Sequence, residues 1–125
     1  MHVQSLDHLV LTVADLPATV GFYHRTLGLE GIKKDGRWAL KFGGQKINLH
    51  QRGDEFEPRA RVPTPGSGDL CFLTDVPLAE VMAHLARCGV PIEEGPVARS
   101  GAQGPILSVY FRDPDGNLLE VSNRQ

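Results

Sequence analysis

The stretch "LDHLVLTVADLPATVGFYHRTLG", residues 6–28, decides the fold. Its first half alternates: Leu9, Leu11 and Val13 share one side of a strand, and Leu6, His8, Val10 and Thr12 share the other. Its second half has helical punctuation, with Asp15 as the expected N-cap, Pro17 in the first turn and Gly28 as the stop. Leu16, Val20, Tyr23 and Leu27 recur at helical spacing and predict one apolar face. Two antiparallel strands follow, "RWALKF" (37–42) and "KINLH" (46–50), joined by the turn "GGQ".

The order then repeats. "GDLCFLT" (68–74) reads as a strand, and "DVPLAEVMAHLARCG" (75–89) as a helix with Leu78, Val81, Met82 and Leu85 inward. Asp75-Val76-Pro77 echoes Asp15-Leu16-Pro17, and Gly89 echoes Gly28. "LSVYF" (107–111), "RDPDG" and "NLLEVSN" (117–123) close the second copy. Short strands near "EGIKK" (30–34) and "PIEEG" (91–95) are expected to complete each half. The chain therefore reads as an α+β protein of two βαβββ modules, spanning about 4–52 and 68–124. The polar linker 53–67 between them is rich in proline and glycine. A module alone would leave a sheet face bare, so the two are expected to pack as a single domain over 1–125, or to exchange with a second chain. The glycine-rich stretch "EGPVARSGAQGP" (94–105) reads as a hairpin connection or a flap over a pocket.

At 125 residues, 41% hydrophobic and 22% charged, the composition is that of an ordinary globular domain. A formal net charge of −2 excludes the basic footprint of a nucleic-acid binder. No apolar run approaches the ~20 residues of a membrane span, and no signal-peptide plan is present. The expectation is a cytoplasmic protein with neither nucleic acid nor membrane as partner. Cys71 and Cys88 do not make a disulfide framework or a metal-type pair, and read as buried free thiols.

Strand alternation separates the ionisable residues. His8, His50, Asp69 and Glu120 each fall on the face opposite the apolar residues of their own strand, and His50 and Glu120 each follow a glycine-containing turn. A carboxylate in a half-buried strand needs a partner. A divalent cation shared with imidazoles would supply one, so the four residues form a candidate metal set. Asp69, beside Gly66-Ser67-Gly68, reads equally as a turn cap. His24 and His84 read as helix-surface residues, and Arg99, Lys46 and Arg112 as solvated charge.

"DHLVLTVADLPATVGFYHRTLG" at the front and "YFRDPDGNLLEV" at the back resemble the vicinal oxygen chelate superfamily, the glyoxalase/bleomycin resistance/dioxygenase proteins. The resemblance covers almost the whole chain. "KFGGQKINLH" and "PTPGSGDLCF" are similar to the glyoxalase domain-containing protein 5 type. The resemblance implies two βαβββ modules in a cupped mixed sheet around a divalent metal, commonly in a homodimer. The implied ligand places hold His8, His50 and Glu120, with Asp69 as a fourth ligand or a neighbouring group. It further implies a small oxygenated substrate chelated to Zn, Ni, Co, Mn or Fe(II), with Glu120 or Asp69 moving a proton. The set departs from the pattern at His50, where glyoxalase I enzymes carry a carboxylate or amide, and at Asp69, where other members have histidine. The leading expectation is thus a glyoxalase-like lyase or isomerase. The alternatives are an iron(II) dioxygenase using two histidines and a carboxylate, or a drug-binding resistance protein without catalysis.

Overall fold

The structure is a computed structural model that describes all residues, 1–125, as two compact units, Met1–Pro65 and Gly66–Gln125. The first unit runs β1 (His8–Val13), α1 (Leu16–Leu27), β2 (Glu30–Lys34), β3 (Arg37–Phe42) and β4 (Gln45–Gln51). Its sheet has the order β1-β4-β3-β2, with β1 parallel to β4 and the rest antiparallel. The second unit runs β5 (Asp69–Leu73), α2 (Leu78–Arg87), β6 (Glu94–Gly101), β7 (Gly104–Arg112) and β8 (Leu118–Arg124). Its order is β5-β8-β7-β6, with β5 parallel to β8. The doubled βαβββ plan is present in full.

Helix α1 forms where its caps demand. The Asp15 carboxylate accepts the Ala18 N–H at 3.0 Å, Pro17 sits in the first turn, and Gly28 closes the helix at φ 68°. Its inward residues are Thr19, Phe22, Tyr23 and Thr26, while Leu16, Val20 and Leu27 stand half-buried at the margin. The expected apolar stripe is thus turned by about one residue, because the two threonines go inward. Thr26 can do so because its hydroxyl is satisfied by the Phe22 carbonyl at 2.7 Å. Helix α2 starts without a side-chain cap of its own and buries Leu78 and Leu85. In the first unit the core is Leu11, Val13, Phe22, Tyr23, Leu40, Ile47 and Leu49; in the second it is Leu85, Val109, Phe111, Leu119 and Val121.

A carboxamide ties each strand to its helix. Gln51 donates to the Ala14 carbonyl at 2.7 Å and accepts the Leu16 N–H at 3.0 Å. In the second unit Asn123 donates to the Thr74 and Val76 carbonyls at 2.9 Å and accepts the Leu78 N–H at 2.9 Å. The two amides do the same work at the same point of the repeat, satisfying an otherwise orphaned helix N–H.

The sixth strand lies beyond its expected place. It occupies Glu94–Gly101 rather than "PIEEG", pairs with β7, and turns back through Gly101–Gly104. At Gly95, φ is +119°, and a Cβ there would meet the Ser108 carbonyl oxygen at 2.5 Å, so only glycine permits this approach of β6 to β7. No helix is long and apolar enough to cross a membrane.

Candidate active site

Backbone register decides which candidate residues meet. In the second unit Cys71 stands directly beside Glu120, and Asp69 lies two residues back on the same face of β5. On the other side Glu120 pairs with Tyr110, and Ser122 with Ser108. This face, opposite the one buried on the core, therefore gathers Asp69, Cys71, Tyr110, Ser108, Ser122 and Glu120. The first and last strands of the second unit put Asp69 and Glu120 on one face, two residues out of step.

In the first unit the outcome differs. His8 pairs with Lys46 and His50 with Thr12, so the two histidines share a face but stand four residues out of step. At ~3.3 Å per residue this is a separation of about 13 Å along the strands. They do not converge. The His50 ring instead packs edge-on against Phe56, centroids 5.6 Å apart, while the Arg37 guanidinium lies 4.1 Å over the same ring. His50 and Glu120, which each follow a glycine-containing turn and so read as counterparts in the repeat, are not equivalent by register. His8 and Lys46 correspond by register to Asp69 and Leu118, so Glu120 corresponds to Asn48, and His50 to Ser122. The Gln51 and Asn123 clasps, each three residues further on, fix the same alignment.

His8 carries a feature suited to a metal ligand. Its Nδ1 is 2.8 Å from the Asp7 carboxylate, which is held below the usual carboxylate range chiefly by that hydrogen bond. A carboxylate on one ring nitrogen orients an imidazole and directs the other nitrogen outward.

The Glu120 carboxylate is held on one oxygen. Ser108 donates to Oε2 at 2.5 Å, and the Ser122 hydroxyl lies 3.3 Å from the same atom. Ser108 and Ser122 are both fully buried, with their oxygens 2.7 Å apart, and Cys71 Sγ is 3.3 Å from the Ser122 oxygen. Each hydroxyl has one proton, and Ser108 spends its own on Glu120, so Ser122 donates at the short Ser122–Ser108 contact. The Cys71 thiol is free and exposed, not buried as expected from its strand. Partial burial raises its pKa, and the nearby charges of Glu120 and Asp69 add to the rise, so the sulfur holds its proton. The Tyr110 phenol is raised too, first by desolvation and further by Glu120, against an Arg99 hydrogen bond that lowers it.

This face opens into a cavity of about 570 Å³ lined by Cys71, Tyr110, Glu120, Arg99, Arg124 and the β6–β7 turn, among others. That volume is in the range of small-molecule sites. The glycine-rich stretch expected either as a hairpin or as a pocket flap forms the β6–β7 hairpin, and its residues 99–105 line the cavity. Sequence reasoning missed Ser108, Ser122 and Arg124. Ser122 and Arg124 share the parity of Glu120, but only strand pairing reveals Ser108 beside them.

The donor types in each unit, carboxylates in the second and a tethered imidazole in the first, are ordinary ligands of a divalent metal. No three of the His, Cys, Asp and Glu side chains stand together as a metal-holding group in this structure.

The sequence pattern of the Glyoxalase/Bleomycin resistance protein/Dioxygenase superfamily matches residues 5–121. The chain belongs to this superfamily. It is 54% identical over 123 residues to the virulence protein STM3117 of Salmonella typhimurium, covering 98% of this chain and 85% of that protein. The crystal structure of that protein superposes with a TM-score of 0.98, covering all of both chains at 52% identity. The glyoxalase domain-containing protein RDO1 of Mycosarcoma maydis is 55% identical over 126 residues, covering 100% of this chain and 71% of that protein. A lactoylglutathione lyase from Agrobacterium tumefaciens shares 29% identity and a TM-score of 0.73, with 97% of this chain and 94% of that one covered. The chain is also similar to a glutathione transferase FosA of Serratia marcescens, 33% identical over 129 residues and covering 95% of this chain and 80% of that protein.

Proposed function

We propose that this chain is a divalent-metal-dependent enzyme of glyoxalase type, close to the glyoxalase domain-containing protein 5 group, acting on a small oxygenated substrate. The observation that carries this reading is the Glu120 carboxylate, anchored on one oxygen by Ser108 and facing a cavity of about 570 Å³. A carboxylate so held is a positioned proton acceptor for a carbon acid or hydroxyl bound beside it. Zinc, nickel, cobalt, manganese or iron(II) would supply Lewis acidity to the substrate oxygens. Glu120, Asp69 and His8 are the proposed ligands. His50 belongs to the same candidate set by strand alternation and by family likeness, but its offset from His8 and its packing on Phe56 support it less. We also propose a homodimer, as superfamily enzymes commonly are, and a cytoplasmic location.

The test is the metal content of the purified chain after loading separately with each of the five ions. About one equivalent retained by wild type, and lost in Glu120→Gln, is expected. Less than a tenth of an equivalent from every ion would overturn the reading in favour of a small-molecule binder. Retention of iron(II) alone, with oxygen consumed on substrate addition, would move the assignment to a dioxygenase.

A further inference from the structure

We propose that the cavity of the second unit binds the carboxylate of a small organic acid, with Arg124 as its counter-charge and Arg99 as a second guanidinium. The inference rests on the reading of this cavity as the substrate site and names the substrate class.

Position is the first ground. Arg99 pairs with Ile106, and Ile106 with Arg124, so the three form one row across β6, β7 and β8. Arg124 lies four residues beyond Glu120 on the same face of β8, about 13 Å along the strand. Both arginines line the cavity that Glu120 faces.

Charge balance is the second ground. Two other arginines of this unit, Arg112 and Arg99, are answered within the protein, and Arg87, at the end of α2, does not line the cavity. Arg112 grips Glu93 with two nitrogens at 3.0 Å and donates to the Gly116 carbonyl at 3.2 Å, outside the cavity. Arg99 donates to the Tyr110 hydroxyl at 3.0 Å, the Ala98 carbonyl at 3.1 Å and Glu94 at 3.3 Å. The Arg124 side chain is exposed and enters no hydrogen bond or ion pair with the protein. With Glu94 answering Arg99, the side chains lining the cavity keep one unanswered negative group, Glu120, and one unanswered positive group, Arg124. A guanidinium is weakly hydrated and offers a planar fork matched to a carboxylate.

Geometry and charge together orient the ligand. Repulsion from Glu120 places the substrate's negative end at Arg124. Its body then lies along the Ile106 and Leu73 side chains toward Glu120. One spare cation suits a monoanionic carboxylate. A phosphate dianion would need more, and no lysine or helix N-terminus lines the cavity to supply it.

The experiment is calorimetric titration of the full chain with C4–C6 carboxylic acids, their methyl esters and inorganic phosphate. The acids are expected to bind, the esters at least about tenfold more weakly. Arg124→Gln should weaken acid binding about tenfold, Arg124→Lys should restore part of it, and Arg112→Gln should leave it unchanged. Esters binding as tightly as acids, phosphate binding more tightly than acids, or no acid bound at about 10 mM would overturn the proposal. So would an Arg124→Gln variant that binds acids normally. The two readings separate cleanly. Arg124-dependent acid binding in a chain that holds no metal sinks the metalloenzyme and keeps the carboxylate site. Glu120-dependent metal retention without Arg124 dependence does the reverse.

Discussion

Ser108 gives its only hydroxyl proton to Glu120 across 2.5 Å, from a position with no solvent exposure. That one bond fixes which carboxylate oxygen is engaged and which way the side chain leans. It also places the acid at the end of a hydroxyl pair rather than in bulk water.

Removing the donor should therefore cost more than an exposed hydroxyl would. Ser108→Ala leaves Glu120 with one partner fewer and Ser122 without its near neighbour. A charge-assisted bond of this kind contributes about 1.5–3 kcal/mol, which for this chain length lowers Tm by several degrees. Thermal melts of the two proteins measure it, and an unchanged Tm would show that the short contact is not maintained in solution.

Asn117 holds together the two strands that carry the acids. It is buried, accepts the Gly68 N–H at 2.7 Å just before Asp69, and donates to the Asp113 carboxylate at 2.7 Å. Asp113 in turn accepts the Asp115 and Asn117 N–H groups, each at 2.9 Å. Asn117→Ala leaves a buried carboxylate and a backbone N–H short of partners, at about 2–4 kcal/mol. Urea unfolding should show a lower midpoint with unchanged slope.

The two histidines of the first unit should behave differently. His8→Ala is expected to abolish metal retention with the fold intact by circular dichroism. Asp7→Asn, which removes the carboxylate on Nδ1, should weaken metal affinity about 10–100-fold. His50→Ala should keep the metal and lose only its packing on Phe56. Metal loss in His50→Ala equal to that in His8→Ala would show that the strand offset does not keep His50 from the ion.

Cys71 combines exposure with a suppressed thiolate. Alkylation by iodoacetamide at pH 7.5 should be slower than for an unstructured cysteine, and Glu120→Gln should speed it by removing a nearby negative charge. The same shift sets a pH dependence. Cys71 and Tyr110 both have raised values in the folded chain, against ordinary values of 9.0 and 10.0. Below pH 9 both are protonated folded and unfolded alike, so their contribution is constant. Above it the unfolded chain releases protons first, and stability falls as pH rises. Melts between pH 8 and 10.5 should show a smaller fall in Cys71→Ala.

What the sequence determined by itself was the repeat and the parity of its strands. The Asp15 and Gly28 caps, the alternation of Leu9, Leu11 and Val13, and the face carrying Asp69 and Glu120 all follow from rules local to a few residues. Those rules hold whatever the partner strand is. Register does not. A pairing of β4 two residues along would have set His50 level with Val10 or Ala14 rather than Thr12, with no change in which face it uses. Only the folded ladders make Asn48, rather than His50, the counterpart of Glu120 in the repeat, separate His8 from His50, and set Ser108 beside Glu120. The same holds for β6, whose start depends on Gly95 passing close to Ser108, and for Cys71, whose exposure depends on what covers its face. Side-chain direction is written in the chain one residue at a time, whereas distance between strands comes from backbone hydrogen bonds that join positions far apart in it.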